Sequence, residues 1–465
     1  MNQKYKYLAK HLEILTISNF ASKILIFLLV PLYTSILSTT EYGIFDLVVT
    51  TVSLLFPLLT ANVVDAVMLF SMDKDYSNEE VASIGIKYIS ISILIVGLGL
   101  LVFSQFNIFS NIRKIRVFIF LYYLSYVLNQ YFIQYAKGIE KVKEMGIAGV
   151  IGTIVMIGAN ILFLVVIKAG LSGFFIANIF AQAIPASYLF FRLQFWKILR
   201  SLSKNRQLEK QMIFYSLPLV CTSLGWWVNN AADKYVVTWL CGVTANGILS
   251  VSYKIPSIIN TLQGIFNQAW QISAVKEYGE MDMASFYGKT FTYLNVMMCI
   301  ACSGLILLTK PLAHFLYAKD FYAAWQYAPY LLISSTLNFA SGFIGPILAA
   351  KKDSKSMAMA AVYGAIVNII LNIALVYLMG IQGATTATVV SSLVIYCVRK
   401  HSVKNELKVE SYWKVLLTWG LLMLQSVAEI YTSAWYTEIG IIIILITVNR
   451  SALREILRIF FKKVG

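Results

Sequence analysis

Lysine side chains inside long apolar stretches carry the clearest chemistry in this 465-residue sequence. Lys23 lies near the middle of one stretch, Lys254 lies inside another, and Lys234 lies at the edge of a third. A charged side chain at the centre of a bilayer costs roughly 2.5–3.5 kcal/mol on insertion scales, so such residues indicate function. Because an ammonium group binds phosphate as a point charge, these lysines predict a site for an anion.

Polar residues continue from Lys254 along one helical face. Ser250, Ser257, Thr261 and Gln268 lie on this face at spacings of three and four residues. We predict that the stripe lines a cavity together with further residues of neighbouring stretches, namely Asn19, Lys23, Trp226, Asn230 and Lys234. The alternative is that these polar groups hold helices together, as Ser, Thr, Asn and Gln commonly do in membranes.

Three aspartates are candidates for binding a coupling ion: Asp46, Asp65 and Asp233. Asp65 either pairs with a lysine or carries the ion, and Asp233 is also placed to form a local pair with Lys234. We expect Glu429, which closes a late apolar stretch, to lie at the membrane surface. The sequence leaves open whether protons, sodium ions or only a concentration gradient would drive transport.

Metal and cofactor chemistry has little support. The sequence has 3 His and 5 Cys, and no set of four ligands at zinc-binding spacing. It contains no phosphate-binding loop or zinc-protease motif. No predicted exterior loop is large enough to carry the catalytic residues of a membrane polymerase or transferase. We therefore predict no metal, no cofactor and no enzymatic activity.

The elements that must position these residues are membrane-spanning helices. A bilayer core requires roughly 20 consecutive apolar residues, and about fourteen stretches approach that length. They are Ile14–Leu37, Gly43–Phe70, Ile84–Phe103, Val117–Ala136, Gly146–Ile167, Leu171–Phe191, Ile213–Leu240, Gly247–Ile272, Phe291–Thr309, Tyr327–Ala349, Ala358–Met379, Gly383–Val398, Trp413–Ala428 and a last one within Tyr431–Val448.

The distribution of charge predicts the orientation of these spans. Most of the 38 Lys and Arg fall in loops that face the cytoplasm if both termini are cytoplasmic. The loops on the exterior side hold Arg113, Lys114, Arg116, Lys168, Lys310 and Lys319. The net charge of +16 therefore reflects topology, and we predict no nucleic-acid partner.

An internal repeat divides the spans into two sets of six. Lys143–Ile161 and Lys355–Ile373, 212 residues apart, are identical at ten of nineteen positions. At an offset of 204, Thr40, Gly43 and Ile44 match Thr244, Gly247 and Ile248, and the Lys254 stripe corresponds to Asp46, Thr50, Ser53, Pro57 and Thr60. Transporters are commonly built from such repeats, with the substrate site where the repeats meet.

The predicted fold is accordingly all-α: a polytopic membrane protein of about 14 transmembrane helices, with two pseudo-symmetric six-helix lobes and two C-terminal helices. The predicted domains are an N-lobe over residues 1–191, a cytoplasmic linker over 192–212, a C-lobe over 213–400, spans thirteen and fourteen over 411–449, and a basic cytoplasmic tail over 450–465.

The sequence resembles the bacterial polysaccharide transporter family, the repeat-unit flippases of the MATE-like MOP superfamily. In the first half the likeness rests on Leu29–Tyr33 (LVPLY) and Glu41–Phe45 (EYGIF). In the second half it rests on Asp233 and Lys234, Ala245–Ile248 (ANGI) and Tyr253–Ile255 (YKI). Leu249 stands where that family has a tyrosine.

The resemblance implies a MATE-like two-lobed bundle with a cationic lumen, to which Lys23, Asp233, Lys234 and Lys254 would contribute. It also implies a flippase that moves undecaprenyl-diphosphate-linked oligosaccharide to the outer leaflet of a bacterial cytoplasmic membrane, for capsule, exopolysaccharide or O-antigen assembly. The implied partners are the polyprenyl-linked glycan, the bilayer and a polysaccharide polymerase. The alternatives are a MATE-type multidrug or cation antiporter and a lipid II-type flippase.

Overall fold

The computed structural model describes residues 25, 27–73, 75–103, 105, 110–200, 205–432 and 435–461. It is 88% helical, with no β-strand within these ranges. Eight of the described helices are long and apolar enough to cross a bilayer, and shorter apolar helices accompany them. The predicted fold class, an all-α polytopic membrane protein, is confirmed.

The chain forms two compact units, residues 1–227 and 228–465. The described helices of the first unit are α1 Val30–Ile36, α2 Thr39–Leu59, α3 Val63–Met72, α4 Asn78–Phe103, α5 Ser110–Gly138, α6 Val142–Asn160, α7 Gly170–Arg192 and α8 Phe195–Arg200. Helix α6 continues as a π-helical segment, Ile161–Val166. Helix α9, Arg206–Cys241, contains the boundary between the units. The lobe and linker boundaries predicted from the sequence stay predictions.

The second unit continues with α10 Val243–Ser252, α11 Ser257–Lys276, α12 Met283–Leu307, α13 Thr309–Leu316, α14 Ala328–Ala350, α15 Ser354–Met379, α16 Ile381–Ser402, α17 Tyr412–Tyr431, α18 Trp435–Val448 and α19 Arg450–Phe461. A 3-10 helix, Lys319–Tyr327, precedes α14. Helix α14 is the core of this unit, with most of its residues buried.

Two stretches that the sequence predicted as single spans are each interrupted. Gly43–Phe70 forms α2 and α3, and Gly247–Ile272 forms α10 and α11. In the first, Pro57 lacks an N–H, and Ala61 and Asn62 then adopt left-handed backbone with φ of 47° and 51°.

In the second stretch, the break at Tyr253–Ile255 lies directly before Pro256. A proline disfavours helical backbone at the residue before it, which accounts for the position of the break. The prediction of continuous helices was therefore wrong at both places. Apolar length alone did not reveal the breaks.

The repeat is visible in the backbone as well as in the sequence. Glu140 and Lys352, 212 residues apart, both have φ of 58°, and each precedes the N-cap of an equivalent helix, α6 or α15. At the same offset, Lys168 and Gly380 have φ of 57° and 59° at the turns before α7 and α16. In both units the two helices of this hairpin pack on each other, and α5 and α14 pack on the second helix in equivalent ways.

The beginning of α2 explains one motif of the family resemblance. Ser38 is the N-cap, and its side chain accepts a hydrogen bond from the Glu41 backbone N–H. The Glu41 carboxylate in turn accepts from the Ser38 backbone N–H at 2.8 Å. This reciprocal capping box satisfies two backbone donors that the first helical turn leaves unpaired. The glutamate of the EYG motif therefore has a structural role at the start of α2.

Candidate functional site

In the second unit, the candidate site is built on the break between α10 and α11. Lys254 lies in the break and is half-buried. Its backbone N–H donates to Val251 O at 2.9 Å, and Val251 O also accepts from the Tyr317 hydroxyl at 3.1 Å. Non-helical backbone at membrane depth is stable only where it contacts protein or water. The hydrogen bond from Tyr317 is such a protein contact beside the break that holds Lys254.

Helix α9 contacts this break through a buried carboxyl group. Asp233 is 4% exposed and accepts a hydrogen bond from the hydroxyl of Tyr253, the residue before Lys254. The second oxygen of Asp233 accepts from the Lys234 backbone N–H at 2.9 Å. The structure thus brings Asp233 and Lys234 of α9 next to the Tyr253–Lys254 segment. Within the described part of the chain, no carboxylate forms an ion pair with Lys254.

The hydroxyl groups of the predicted stripe bond mainly to nearby groups of their own helix. Ser257 Oγ donates to Lys254 O at 2.5 Å, and Thr261 Oγ1 donates to Ser257 O at 2.8 Å. Ser250 is buried and donates to Asn246 Oδ1 at 3.4 Å. These bonds use the hydroxyl protons, and the hydroxyl oxygens remain acceptors. The cavity-lining role of Ser250, Ser257 and Thr261 stays a prediction.

In the first unit, Asp65 lies one turn after the break between α2 and α3. It accepts hydrogen bonds from Asn62 Nδ2 at 2.8 Å and from Gln134 Nε2 of α5 at 2.9 Å. The carboxyl group of Asp65 is therefore held by two neutral amides. A pair with a lysine was one of the two expectations from the sequence. Asp46 lies on α2 near the aromatic residues Tyr42 and Tyr122. The ion-coupling roles of Asp46, Asp65 and Asp233 stay predictions.

The remaining predicted residues divide into three groups. Asn230 lies on α9 and is exposed. Trp226 and Gln268 lie in the described helices α9 and α11, but their side chains fall outside what the structure describes. Asn19 and Lys23 lie outside the described residues altogether. The site therefore has to be argued from Lys254 and its neighbours.

Sequence reasoning missed the groups that hold the two aspartates. Tyr253 was seen as part of the YKI motif but not as the donor to Asp233, because the contact joins residues 20 positions apart. Asn62 and Gln134 were not singled out at all. The pair Ala61 and Asn62 after Pro57 was an available turn signal, since Asn tolerates left-handed backbone. Gln134 offered no local signal, because its contact with Asp65 spans 69 positions.

The groups of this arrangement are suited to binding a charged ligand. Among the described residues, no group of three or more His, Cys, Asp or Glu could hold a metal ion. The described cysteines are free thiols. What the second unit offers is a half-buried ammonium group beside an aspartate, a tyrosine hydroxyl and backbone groups of a broken helix.

Solved structures with the same fold are transporters and flippases. The lipid II flippase MurJ in an inward closed conformation aligns with a TM-score of 0.67 and 16% identity, covering 96% of this chain and 99% of that chain. An inward-facing multidrug resistance MATE family transporter of the MOP superfamily aligns at 0.59 and 12% identity, covering 84% and 95%.

A MOP superfamily transporter from Pyrococcus furiosus also aligns, at a TM-score of 0.54 and 12% identity, covering 85% of this chain and 93% of that one. At these identities the likeness establishes the fold. No curated protein sequence gives a significant match.

The family is established by the sequence itself. The model of the polysaccharide biosynthesis protein family matches residues 8–271, more than half of the chain. The matched segment includes both helix breaks, Asp65, Asp233 and Lys254. The protein is a multi-pass membrane protein that belongs to the polysaccharide biosynthesis protein family.

Proposed function

We propose that this protein is a flippase for undecaprenyl-diphosphate-linked oligosaccharide. It would move the repeat unit from the inner to the outer leaflet of a bacterial cytoplasmic membrane, where a polymerase assembles capsule, exopolysaccharide or O-antigen. The observation that carries the proposal is Lys254, a half-buried lysine in the break of a membrane helix, in a chain of the polysaccharide biosynthesis protein family.

The electrostatics of the substrate make a buried cation useful. A lipid diphosphate carries two or more negative charges across roughly 30 Å of hydrocarbon, and the desolvation of those charges is the main barrier. Lys254 would supply an opposite charge at the helix break, where irregular backbone is stable only in contact with protein or water. Asp233 accepts hydrogen bonds from the Tyr253 hydroxyl and the Lys234 backbone N–H.

Transport would proceed by alternating access. The internal repeat supports this mechanism, because two related units can expose a shared path first to one side of the membrane and then to the other. In this proposal both termini are cytoplasmic, as the distribution of Lys and Arg predicts. Lys23 and Lys234 would add positive charge to the path, and the polyprenyl tail would stay in lipid.

Substitution of the two deep lysines tests the proposal. We expect Lys254→Ala and Lys23→Ala to abolish surface glycan in cells that depend on this protein, while the variants still accumulate in the membrane. Lys254→Arg keeps the charge and should retain most activity. Lys404→Ala removes an exposed lysine from the turn after α16 and serves as the matched control. Normal glycan production in both alanine variants would overturn the proposal.

A lipid II-type substrate is the second candidate, favoured by the likeness to MurJ over 96% of this chain. Both substrates carry a polyprenyl diphosphate, so Lys254 fits either. Complementation separates them: rescue of cells depleted of their lipid II flippase would favour the second candidate. Drug resistance on overexpression would instead favour a MATE-type antiporter, for which a lysine in the site is poorly suited because it repels cationic drugs.

A further inference from the structure

Two buried glutamates lie next to each other, one at the end of α17 and one at the beginning of α18. Glu429 lies in the last turn of α17 and is 3% exposed, and Glu438 lies in the first turn of α18 and is 1% exposed. The sequence predicted that Glu429 would lie at the membrane surface. The structure buries it, because α18 folds back and packs on α17.

The carboxyl groups of the two glutamates are neighbours. The Glu438 side chain lies within hydrogen-bonding reach of the Glu429 side chain and of Gln425. Glu438 Oε2 is buried and accepts no hydrogen bond from any described residue, whereas Glu429 Oε1 lies 3.5 Å from the Lys310 ammonium. A bond between two carboxyl groups requires a proton on one of them, since an ionised carboxylate is an acceptor only. Two ionised carboxylates in contact would repel each other strongly where water is excluded.

One lysine accompanies this pair. Lys310 of α13 places its Nζ 3.5 Å from Glu429 Oε1 and 4.4 Å from the centre of the Trp325 ring. The same ammonium donates to the backbone oxygen of Glu429 at 3.1 Å. Lys310 can balance one negative charge, so two ionised glutamates would leave one buried charge uncompensated. A single proton on the pair removes that excess.

The other groups packed around the pair cannot supply this balance. Helix α12 contributes Ser303. Its hydroxyl donates to Gln425 Oε1 at 2.6 Å, and Gln425 Nε2 donates to the Ser303 backbone oxygen at 3.0 Å. Helix α14 contributes Tyr330, which interacts with Tyr431 and Gln382. The thiols of Cys299 and Cys302 face Trp419 and Thr336.

The further charged residues of the neighbouring elements are distant in sequence or exposed. On α17 and α12, Lys414 and Lys289 lie about 14–15 residues, or roughly 21–22 Å, from the level of the pair. The remaining ones are His314 on α13, Lys319 and Asp320 on the 3-10 helix, and Arg450, Arg454, Glu455 and Arg458 on α19.

We propose that Glu429 and Glu438, with Lys310 as their counter-charge, form a proton-binding site that holds one exchangeable proton on the two C-terminal helices. The topology predicted from the sequence places Lys310 on the exterior side, so this site would exchange with the outer medium. The site is independent of the lysine at the α10–α11 break, and the proposal does not depend on the identity of the transported lipid.

Infrared spectroscopy of the purified full-length protein tests the site, because a protonated carboxylic acid has a carbonyl band distinct from that of a carboxylate. We expect wild-type protein to show such a band that disappears as pH rises. Glu438→Gln should abolish this band. Lys310→Met should shift its titration to higher pH, because the positive charge that favours ionisation is lost.

Glu406→Gln is the matched control. Glu406 is a half-buried carboxylate that pairs with Lys351 at 2.8 Å, so its substitution should leave the acid band unchanged. Glu429→Gln tests the pair from its other member and serves if the Glu438 variant does not fold. A spectrum of either glutamine variant identical to that of wild type would overturn the proposal. So would a band that responds to sodium ions at constant pH, because the site would then bind a metal cation.

Discussion

The same helix of the internal repeat is interrupted at opposite ends in the two units. In the first unit, 21 residues of α2 precede the break and 10 residues of α3 follow it. In the second unit, 10 residues of α10 precede the break and 20 residues of α11 follow it. Each break accompanies a proline that the other unit lacks: at the offset of 204, Pro57 corresponds to Thr261, and Pro256 corresponds to Val52.

The charge at the two breaks is also opposite. Asp65 lies next to the first break and Lys254 lies in the second. One hydrogen bond is nevertheless shared with the counterpart of Lys254, which is Thr50 inside α2: Ser53 Oγ donates to Thr50 O at 2.7 Å, as Ser257 Oγ donates to Lys254 O at 2.5 Å. The two copies thus kept a common helix and diverged in where it opens and in the side chain it presents there.

The tight turns of the two helical hairpins give the largest expected difference between the units. A Cβ on Gly383 would lie 2.0 Å from Leu375 O, and one on Gly173 would lie 2.9 Å from Phe163 O. Because a backbone oxygen cannot move aside, we expect Gly383→Ala to lower the free energy of unfolding by about 3 kcal/mol, and Gly173→Ala by about 1 kcal/mol. Thermal unfolding in detergent measures both.

Gly149→Ala on α6 is the control for this pair, because nothing lies within 4 Å of its added Cβ. It should leave stability unchanged or raise it by up to about 1 kcal/mol, since alanine favours helix over glycine. Equal losses for Gly383→Ala and Gly173→Ala would show that the two hairpins are as tight as each other.

The two aspartates provide the next comparison. Tyr253→Phe removes a hydroxyl donor from the buried Asp233, so we expect a loss of about 1–3 kcal/mol in the free energy of unfolding. Gln134→Ala removes one of the two amide donors to the half-buried Asp65, which keeps Asn62, so the loss should be about 0.5–1.5 kcal/mol.

Tyr363→Phe alters an exposed tyrosine of α15 and should change stability by less than about 0.5 kcal/mol. A larger loss for Gln134→Ala than for Tyr253→Phe would reverse the comparison and make Asp65 the more tightly held acid.

The sequence predicted the fold because apolar length and the distribution of Lys and Arg act over whole helices. Apolar length did not predict the breaks, because Pro57 and Pro256 lie inside stretches apolar enough to span a bilayer. Lys254 was found because a charge is conspicuous in such a stretch. Tyr253 and Gln134 were missed because hydrogen bonds between distant segments leave no periodic pattern. The burial of Glu429 was missed for the same reason: it depends on α18 folding back onto α17.

The first break depends on left-handed backbone, and the second does not. Ala61 has φ of 47°, whereas none of the residues Tyr253–Pro256 has a positive φ. A non-glycine residue in this conformation costs about 1–2 kcal/mol, so Ala61→Gly should raise the stability of the first unit by about 0.5–1 kcal/mol. Ala66→Gly in the buried, regular part of α3 is the control and should cost about 1 kcal/mol. Destabilisation by both substitutions would mean that the break is not held by Ala61.

The N-caps of α6 and α15 give the smallest expected effect, and it depends on pH. Lys141 caps α6 without a side-chain hydrogen bond, whereas its counterpart Asp353 accepts from the backbone N–H of Ser356 at 3.0 Å. That bond, with a second from the Ser356 hydroxyl, lowers the pKa of Asp353. A carboxyl group whose pKa is lower in the folded protein stabilises it above the unfolded pKa, and this stabilisation is lost as pH falls through the folded value.

Three substitutions at these caps separate the hydrogen bond from the charge. Asp353→Asn should keep the cap at neutral pH but remove the loss of thermal stability on acidification, whereas Asp353→Ala should remove both. Lys141→Asn should add a cap to α6 that does not depend on pH. Melting temperatures measured from neutral pH to below about pH 4, the ordinary pKa of aspartate, test all three. If the melting temperatures of wild type and Asp353→Asn fall equally with decreasing pH, the charge of Asp353 does not contribute to the cap. The difference between the caps of α6 and α15 then lies in the hydrogen bond alone.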